Sequence, residues 1–175
     1  YRRNDGLQKC LHSIKAQTGL RLSVIIIVVD NNVRPSAKSV VDQARTDETY
    51  PPMTYVHEPL AGISNARNAA VRAATEADAT WIAFIDDDEW ADVDWLAELL
   101  RVAEEQAASG VVGAVNVSLD PGGDPFVARE CFFQKIPPGE GTAVRMAPTS
   151  NLLLKREVVL SVLGDEPFAA AFNLT

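Results

Sequence analysis

The sequence predicts an α/β fold of Rossmann-like type, with a mainly parallel central sheet flanked by helices. Two apolar runs, 22–29 and 80–85, lack the polar alternation of a half-exposed strand, which is typical of strands buried on both faces of a parallel sheet. Segments with apolar residues at helical spacing separate these runs. Acidic residues follow each run directly, at Asp30 and at Asp86–Asp88. Strands that alternate with helices form right-handed βαβ units.

The predicted elements alternate in type along the chain. In order they are a helix around 7–14, a strand at 22–29, a helix from Ser36, a strand at 53–57, a helix at 65–77 with Ser64 as its N-cap, a strand at 80–85, a helix capped by Asp92 or Asp94, and a strand at 111–117. Residues 119–148 are rich in proline and glycine and predict a long loop or small subdomain over the site. A strand at 151–154 and a short helix at 157–163 follow.

Composition limits the function classes that the chain can serve. The 175 residues suit one α/β domain, and the apolar fraction of 47% supports a sizeable core. A formal net charge of -8 argues against a general nucleic-acid binder, which needs a basic face. No run is long enough for a membrane span and no signal peptide is visible, so we expect a cytoplasmic location, with peripheral attachment to the inner face of the cytoplasmic membrane left open. Cys10 and Cys131 fit ordinary thiols in a reducing compartment.

The acidic run at Asp86, Asp87 and Asp88 is the strongest chemical signal in the sequence. Adjacent carboxylates repel one another by about 1 kcal/mol per pair at about 4 Å in water, and by more near a protein surface. Either a proton or a cation relieves this repulsion, and all-oxygen ligands favour Mg²⁺ or Mn²⁺. Such an ion lets an acidic pocket hold an anionic diphosphate. The alternative is a solvated turn that leads into the next helix.

Four other residues are candidates for ligand contacts. Arg67 is predicted in the first turn of a helix, where it could hold a diphosphate with two parallel hydrogen bonds; the alternative is a surface arginine paired with a carboxylate. Asp30 could bond to a base or ribose, or simply form a turn. Tyr1 could stack on a base, or be a frayed terminal residue. Trp90, directly after the acidic run, could line an acceptor pocket.

Several motifs in one order resemble family 2 glycosyltransferases with a GT-A fold. The string Phe-Ile-Asp-Asp-Asp-Glu-Trp at 84–90 resembles their D-x-D region, and Val-Val-Asp-Asn at 28–31 resembles the acidic motif of their second strand. Tyr-Arg-Arg at 1–3 resembles the end of their opening segment, and 57–68, with Gly62, Ser64 and Ala-Arg-Asn, resembles a helix start of the family. The combination is most similar to bacterial exopolysaccharide glucosyltransferases of the succinoglycan type.

The resemblance implies a role for each matching residue. Tyr1 and Asp30 would contact the base, Asp86 and Asp87 the ribose or sugar phosphate, and Arg67 the pyrophosphate. Asp88 would hold the metal, Mn²⁺ or Mg²⁺. The family's first strand would precede Tyr1 and its catalytic base would lie beyond Thr175, so we expect a fragment with no base to name.

The expected function is that of an inverting glycosyltransferase. It would move a sugar, which the resemblance implies to be glucose, from a UDP-sugar to a saccharide or lipid-linked saccharide acceptor in polysaccharide biosynthesis. Residues 1–118 would form the donor-binding part, and 119–175 the acceptor-side loop and a partial carboxyl-terminal part of the same domain. The alternatives are a metal-dependent nucleotidyltransferase and a non-catalytic nucleotide-sugar-binding fragment.

Overall fold

The structure is a computed structural model that describes residues 4–116, 139–145, 147–163 and 168. Its elements in chain order are α1 (Asn4–Lys15), β1 (Ile26–Asp30), α2 (Lys38–Ala44), β2 (Met53–His57), α3 (Ile63–Glu76), β3 (Trp81–Ile85), α4 (Trp95–Glu105), β4 (Gly110–Val112), β5 (Asn151–Lys155) and α5 (Arg156–Val158), followed by a π-helical turn at Val159–Leu163. The predicted alternation of helices and strands is therefore confirmed. None of the described helices has the length and apolar character needed to cross a membrane.

The strands form two separate sheets within the described residues. β1 and β2 pair in parallel, with Ile26 opposite Met53 and Asp30 opposite His57. β5 lies between β3 and β4 and is antiparallel to both. The α/β class and the presence of a parallel sheet are confirmed, whereas the antiparallel arrangement of β5 was not predicted. A parallel pair needs a crossover connection, but no described helix lies between β4 and β5.

Helices cover both faces of the strands, and the two-residue period of β5 shows how. Leu152 packs with Val71 of α3, whereas its neighbour Leu153 packs with Leu99 of α4. Successive strand side chains point to opposite faces, so α3 and α4 lie on opposite sides of this sheet. A further cluster joins α1 and α2 to β1; its buried members are Leu7, Leu11, Ile26, Val28, Val40 and Val41.

The predicted start of α3 differs from the observed one, whereas the predicted start of α4 is confirmed. Gly62, with φ of 131°, occupies the N-cap position of α3, and Ser64 is buried inside the helix. Glycine adopts this backbone conformation without a steric penalty, which a serine cap cannot do. Arg67 consequently lies in the second turn of α3 rather than the first. Asp94 does occupy the N-cap position of α4, although its side chain makes no capping hydrogen bond.

Candidate functional site

The carboxyl ends of β1 and β3 open on one cavity of about 940 Å³. Asp30 and Asn31 line it from β1, Arg67 from α3, and Asp86 and Asp87 from the turn after β3. Asp88 follows Asp87 on the exposed part of the same turn and is not among the lining residues. The structure thus brings the acidic ends of the two strands and the arginine to a shared space, as parallel α/β sheets do at their ligand sites.

The acidic turn at 86–89 is closed by its own backbone and by Glu89. The Glu89 N–H donates to the Asp86 carbonyl at 3.1 Å, and the Glu89 carboxylate accepts from the Asp86 N–H at 3.3 Å. Burial raises the pKa of Glu89, and the charges of Asp86 and Asp88 raise it further, while hydrogen bonds from the Asp86 backbone and Ser150 oppose the rise. Burial and the two neighbouring carboxylates therefore act in the same direction on Glu89.

Arg67 is the cation that faces this turn. Its guanidinium donates to the Asp86 carboxylate and, through Nε, to Thr149 Oγ1 at 3.2 Å. The guanidinium also lies over the Phe84 ring, 5.4 Å from its centroid. The Arg67 side chain is 13% exposed and that of Asp86 is 37% exposed, so the pair is partly desolvated. The predicted carboxylate partner of Arg67 is real, but it belongs to the acidic turn itself.

Asp30 is held more tightly than a turn residue needs to be. It is 3% exposed, and one carboxylate oxygen accepts from the Ser36 N–H at 2.6 Å, the Ala37 N–H at 2.7 Å and the Tyr55 hydroxyl at 2.9 Å. The other oxygen accepts from Asn32 Nδ2 at 3.0 Å. Burial alone would raise the pKa of Asp30, but these hydrogen bonds outweigh it and keep the pKa well below its usual range.

Asn31 links the end of β1 to the loop that enters α3. Its amide donates to the carbonyls of Glu58 at 2.8 Å and Leu60 at 2.7 Å, and its oxygen accepts from the Gly62 N–H at 2.9 Å. This network fixes the rim of the cavity between β1 and α3. Sequence reasoning treated Asn31 only as part of a motif, because a single chain does not show that its partners lie about thirty residues away.

The first turn of α1 packs against the backbone of the acidic turn. A Cβ atom on Gly6 would lie 2.8 Å from the Asp87 carbonyl oxygen, so only glycine allows this approach. The amino end of a helix carries partial positive charge, which favours the carboxylates beside it. One helical turn further on, burial raises the pKa of the Cys10 thiol to about 12, and the charges of Asp87, Glu89, Asp86 and Asp88 add to the effect.

Comparison with known proteins identifies the family. Residues 1–163 match the family described as Glycosyl transferase family 2. The chain belongs to glycosyl transferase family 2. It is 33% identical over 165 residues to the succinoglycan biosynthesis protein ExoM of Rhizobium meliloti (strain 1021). The aligned region covers 94% of this chain and 52% of ExoM. It is 29% identical to the putative glycosyltransferase EpsH of Bacillus subtilis (strain 168), over 61% of this chain and 29% of EpsH.

A solved structure shows the same fold. The crystal structure of S. aureus TarS 1–349 matches 97% of this chain and 50% of that chain with a TM-score of 0.64 at 14% identity. At this identity the likeness bears on the fold alone, and it supports the GT-A fold expected from the motifs. The chain spans about half the length of ExoM and of the TarS structure. Family membership favours a sugar transferase over the nucleotidyltransferase alternative.

Members of family 2 generally depend on a divalent metal. The possible metal ligands in this domain are the acidic side chains near the cavity. No cluster of three or more His, Cys, Asp or Glu side chains in metal-holding geometry occurs among the described residues. Asp87 and Asp88 are exposed at the cavity mouth and offer only oxygen ligands, which suit a hard cation. These oxygens are of the type that a hard cation binds, although the described residues alone form no group that would hold one.

The sequence prediction of this family 2 site is partly matched by position. Asp30, Arg67, Asp86 and Asp87 share the cavity, and Asp88 adjoins it. Tyr1 lies outside the described residues, as does most of the predicted acceptor loop at 119–148. Trp90, which was predicted to line an acceptor pocket, is 57% exposed.

Two site residues escaped the sequence analysis altogether. Thr149 bonds to Arg67 and Ser150 bonds to Glu89, so the segment before β5 supports the acidic turn. The only local signal was a pair of hydroxyl residues before a short apolar run. That signal is far too common to indicate a site, and the Thr149 contact spans 82 positions of the sequence.

Proposed function

We propose that this family 2 domain binds a UDP-sugar in the cavity between the ends of β1 and β3. Within the protein to which it belongs, it would act as an inverting glycosyltransferase that delivers the sugar, glucose in the first instance, to a saccharide or lipid-linked saccharide acceptor in polysaccharide biosynthesis. The observation that carries the proposal is the convergence of Asp30, Arg67 and the acidic turn on one cavity. The naming of ExoM as a succinoglycan biosynthesis protein supports the pathway class.

The residues divide the donor between them. We place the nucleoside at the β1 end, where Asp30, Asn31 and, from outside the described region, Tyr1 are available to the base. Asp86 and Asp87 would meet the ribose and sugar phosphate. Arg67 would bind the diphosphate through its positive charge. Its guanidinium is already held by hydrogen bonds to Asp86 and Thr149. A fixed cation loses little side-chain entropy when the donor binds.

Asp88 would hold Mn²⁺ or Mg²⁺ together with the diphosphate. Such an ion stabilises negative charge on the departing UDP. The chain's own contribution is to orient the donor: β1 and β3 fix the ends of the cavity, and Arg67 retains the diphosphate as the sugar leaves. The acceptor hydroxyl would lose its proton to a carboxylate beyond Thr175, so no catalytic base is assigned within this chain.

The division of labour along the chain follows from this placement. Residues 1–118 would form the donor part, and 119–175 would belong to the acceptor side of the same domain, with Trp90 at the boundary. Because nucleotide sugars are intracellular substrates, we propose a cytoplasmic site of action, with a lipid-linked acceptor bringing the protein to the inner face of the membrane.

Isothermal titration calorimetry with UDP-glucose tests the donor site. We expect Mn²⁺ to increase affinity at least about tenfold, which corresponds to about 1.4 kcal/mol. Asp88→Ala should abolish that enhancement. Asp42→Ala, which removes an exposed carboxylate paired with Lys38 on α2, is the matched control and should retain it. Equal affinity with and without Mn²⁺ for the unaltered chain would overturn the proposal.

A further inference from the structure

Asn68 is a buried polar residue on the face of α3 that packs against the strands. Val71 and Ala74, three and six positions further on, belong to the same face and pack with residues of β3 and β5. Asn68 is 4% exposed, and burial of a side-chain amide costs free energy unless its hydrogen bonds are made. Its neighbour in the sequence, Arg67, contacts the acidic turn. An asparagine at this position therefore needs partners that compensate for its burial.

The backbone of Phe168 supplies these partners. Asn68 Nδ2 donates to the Phe168 carbonyl at 2.9 Å, and Asn68 Oδ1 accepts from the Phe168 N–H at 2.9 Å. Two paired residues of an antiparallel ladder exchange both hydrogen bonds in the same manner, so the amide takes the place of a partner strand here. The contact joins positions 100 residues apart. It holds residue 168 against the same turn of α3 that carries Arg67.

The Phe168 ring packs on the aromatic residue that Arg67 contacts. The rings of Phe168 and Phe84 meet edge to face, with their centroids 6.0 Å apart and their planes at 80°, which is a favoured arrangement for an aromatic pair. The Arg67 guanidinium lies over the same Phe84 ring, within the range of a cation–π contact. Phe84 is 4% exposed, so its ring is enclosed by its neighbours. Phe84 therefore contacts the guanidinium and Phe168 at the same time.

The Phe84 ring restricts Arg67 in a way that its hydrogen bonds do not. The bonds to Asp86 and Thr149 hold a terminal nitrogen and Nε of the guanidinium. The ring instead lies against the central carbon of the group. If the ring moved, Arg67 could keep both hydrogen bonds in more orientations, and this added freedom would be lost again when a ligand binds. A firmly held Phe84 ring therefore favours ligand binding by Arg67.

We propose that Asn68 and Phe168 are positioning residues for Arg67. Asn68 anchors the backbone of residue 168, Phe168 supports the Phe84 ring, and Phe84 holds the guanidinium at the cavity. Asn68 and Phe168 are not among the residues that line the cavity, so they act on its ligand through Arg67. That Arg67 then binds the diphosphate of a UDP-sugar rests on the proposed function, whereas the way in which Arg67 is held does not.

NMR of the Arg67 Nε–H tests the positioning, because its exchange with solvent reports how firmly the guanidinium is held. Arg67→Lys removes this signal and so assigns it, and the Arg101 Nε–H, bonded to Glu98 at 2.9 Å, is the internal control. Phe168→Leu should speed exchange at Arg67 about two- to tenfold, which corresponds to the loss of one edge-to-face pair. Asn68→Ala should speed it at least about tenfold, because two buried backbone groups lose their partner. Exchange at Arg101 should not change.

Two further variants separate positioning from a general loss of stability. Phe168→Tyr keeps the aromatic ring and should keep exchange at Arg67 slow. Leu99→Ala removes a buried side chain from the cluster on the opposite face of the sheet, so it should lower Tm without changing exchange at Arg67. Unchanged exchange at Arg67 in both Asn68→Ala and Phe168→Leu would overturn the proposal. Equal acceleration at Arg101, or the same acceleration at Arg67 in Leu99→Ala, would also overturn it.

Calorimetry with UDP and with uridine, both in the presence of Mn²⁺, measures the consequence for the ligand. Phe168→Leu should weaken UDP binding about two- to tenfold and leave uridine binding unchanged, because uridine carries no phosphate for Arg67 to bind. Equal weakening of both ligands would mean a general change of the cavity and would contradict the positioning role. Absence of UDP binding by the unaltered chain would overturn the proposed function, and the exchange rates would still decide how Arg67 is held.

Discussion

Replacement of Asp30 separates its structural role from its donor role. The carboxylate accepts four hydrogen bonds of 3.0 Å or less, two of them from the backbone N–H groups of Ser36 and Ala37. Asp30→Ala leaves those two donors without their acceptor inside a buried site. At about 1–3 kcal/mol for each unsatisfied buried group, we expect a loss of about 3–5 kcal/mol in the free energy of unfolding.

Asp30→Asn should cost less, and the geometry gives the reason. An amide has one acceptor atom, so it can face either the Ser36 and Ala37 donors or Asn32, but not both. With the charge also lost, we expect a decrease of about 2–3 kcal/mol. Urea unfolding followed by tryptophan fluorescence measures both variants. Asp42→Asn, at an exposed salt bridge, is the control and should change stability by less than about 1 kcal/mol.

The pH dependence provides a second readout of the same residue. The folded-state pKa of Asp30 lies below its ordinary value of 3.8, so this carboxylate contributes full stability above that pH. The contribution is lost as the pH falls through the range between the unfolded and folded values. Unfolding midpoints should therefore fall more steeply below pH 4 for the unaltered chain than for Asp30→Asn. Parallel pH profiles, or stability losses under 1 kcal/mol for Asp30→Ala, would refute the reasoning.

Three further outcomes are expected. Arg67→Lys keeps the charge but cannot bond to Asp86 and Thr149 together, so UDP-glucose affinity by calorimetry should fall about tenfold. Arg101→Lys, at a partly exposed position of α4 that does not line the cavity, should leave the affinity unchanged. Gly6→Ala should lower Tm in a thermal scan, although alanine favours a helix by about 1 kcal/mol, because the new Cβ would meet the Asp87 carbonyl at 2.8 Å; a rise in Tm would contradict the contact. Cys10 should resist iodoacetamide at pH 8 in the folded chain, measured by peptide mass spectrometry, because its pKa is about 12, and it should react after unfolding.

The sequence was sufficient for the strands that form the site. β1 and β3 are continuous apolar runs that end in acidic residues, and their short length and β-branched residues favoured strands. The prediction that both faces are buried was wrong, because buried residues alternate with partly or fully exposed ones along both strands. The contact between α3 and the acidic turn could also be predicted from the sequence, since helix starts and strand ends meet at the same edge of an α/β sheet. What remained open was which carboxylate faces Arg67, because Asp86, Asp87 and Asp88 are chemically identical in the sequence.

The rest depended on tertiary partners that local patterns do not encode. β5 is a short apolar run, and its own sequence does not indicate whether it runs parallel or antiparallel to β3. Asp30 lies in a segment with the composition of a turn. It is nevertheless buried, because the loop after β1 folds back and presents its N–H groups to the carboxylate. Tyr55, which completes the set from β2, lies 25 positions away.

Under the proposed function, the charges around the acidic turn favour joint binding of a cation and an anionic donor. Arg67 neutralises Asp86, and the amino end of α1 lies against Asp87. Glu89 lies close to Asp86 and Asp88; burial is the main cause of its raised pKa, and the charges of these two carboxylates add to it. Under the proposed function, a divalent ion would reduce the repulsion between these carboxylates, and a diphosphate would supply further oxygen ligands to the ion. Each therefore favours the binding of the other, and this reciprocity requires that UDP-glucose raise Mn²⁺ affinity by the same factor by which Mn²⁺ raises that of UDP-glucose.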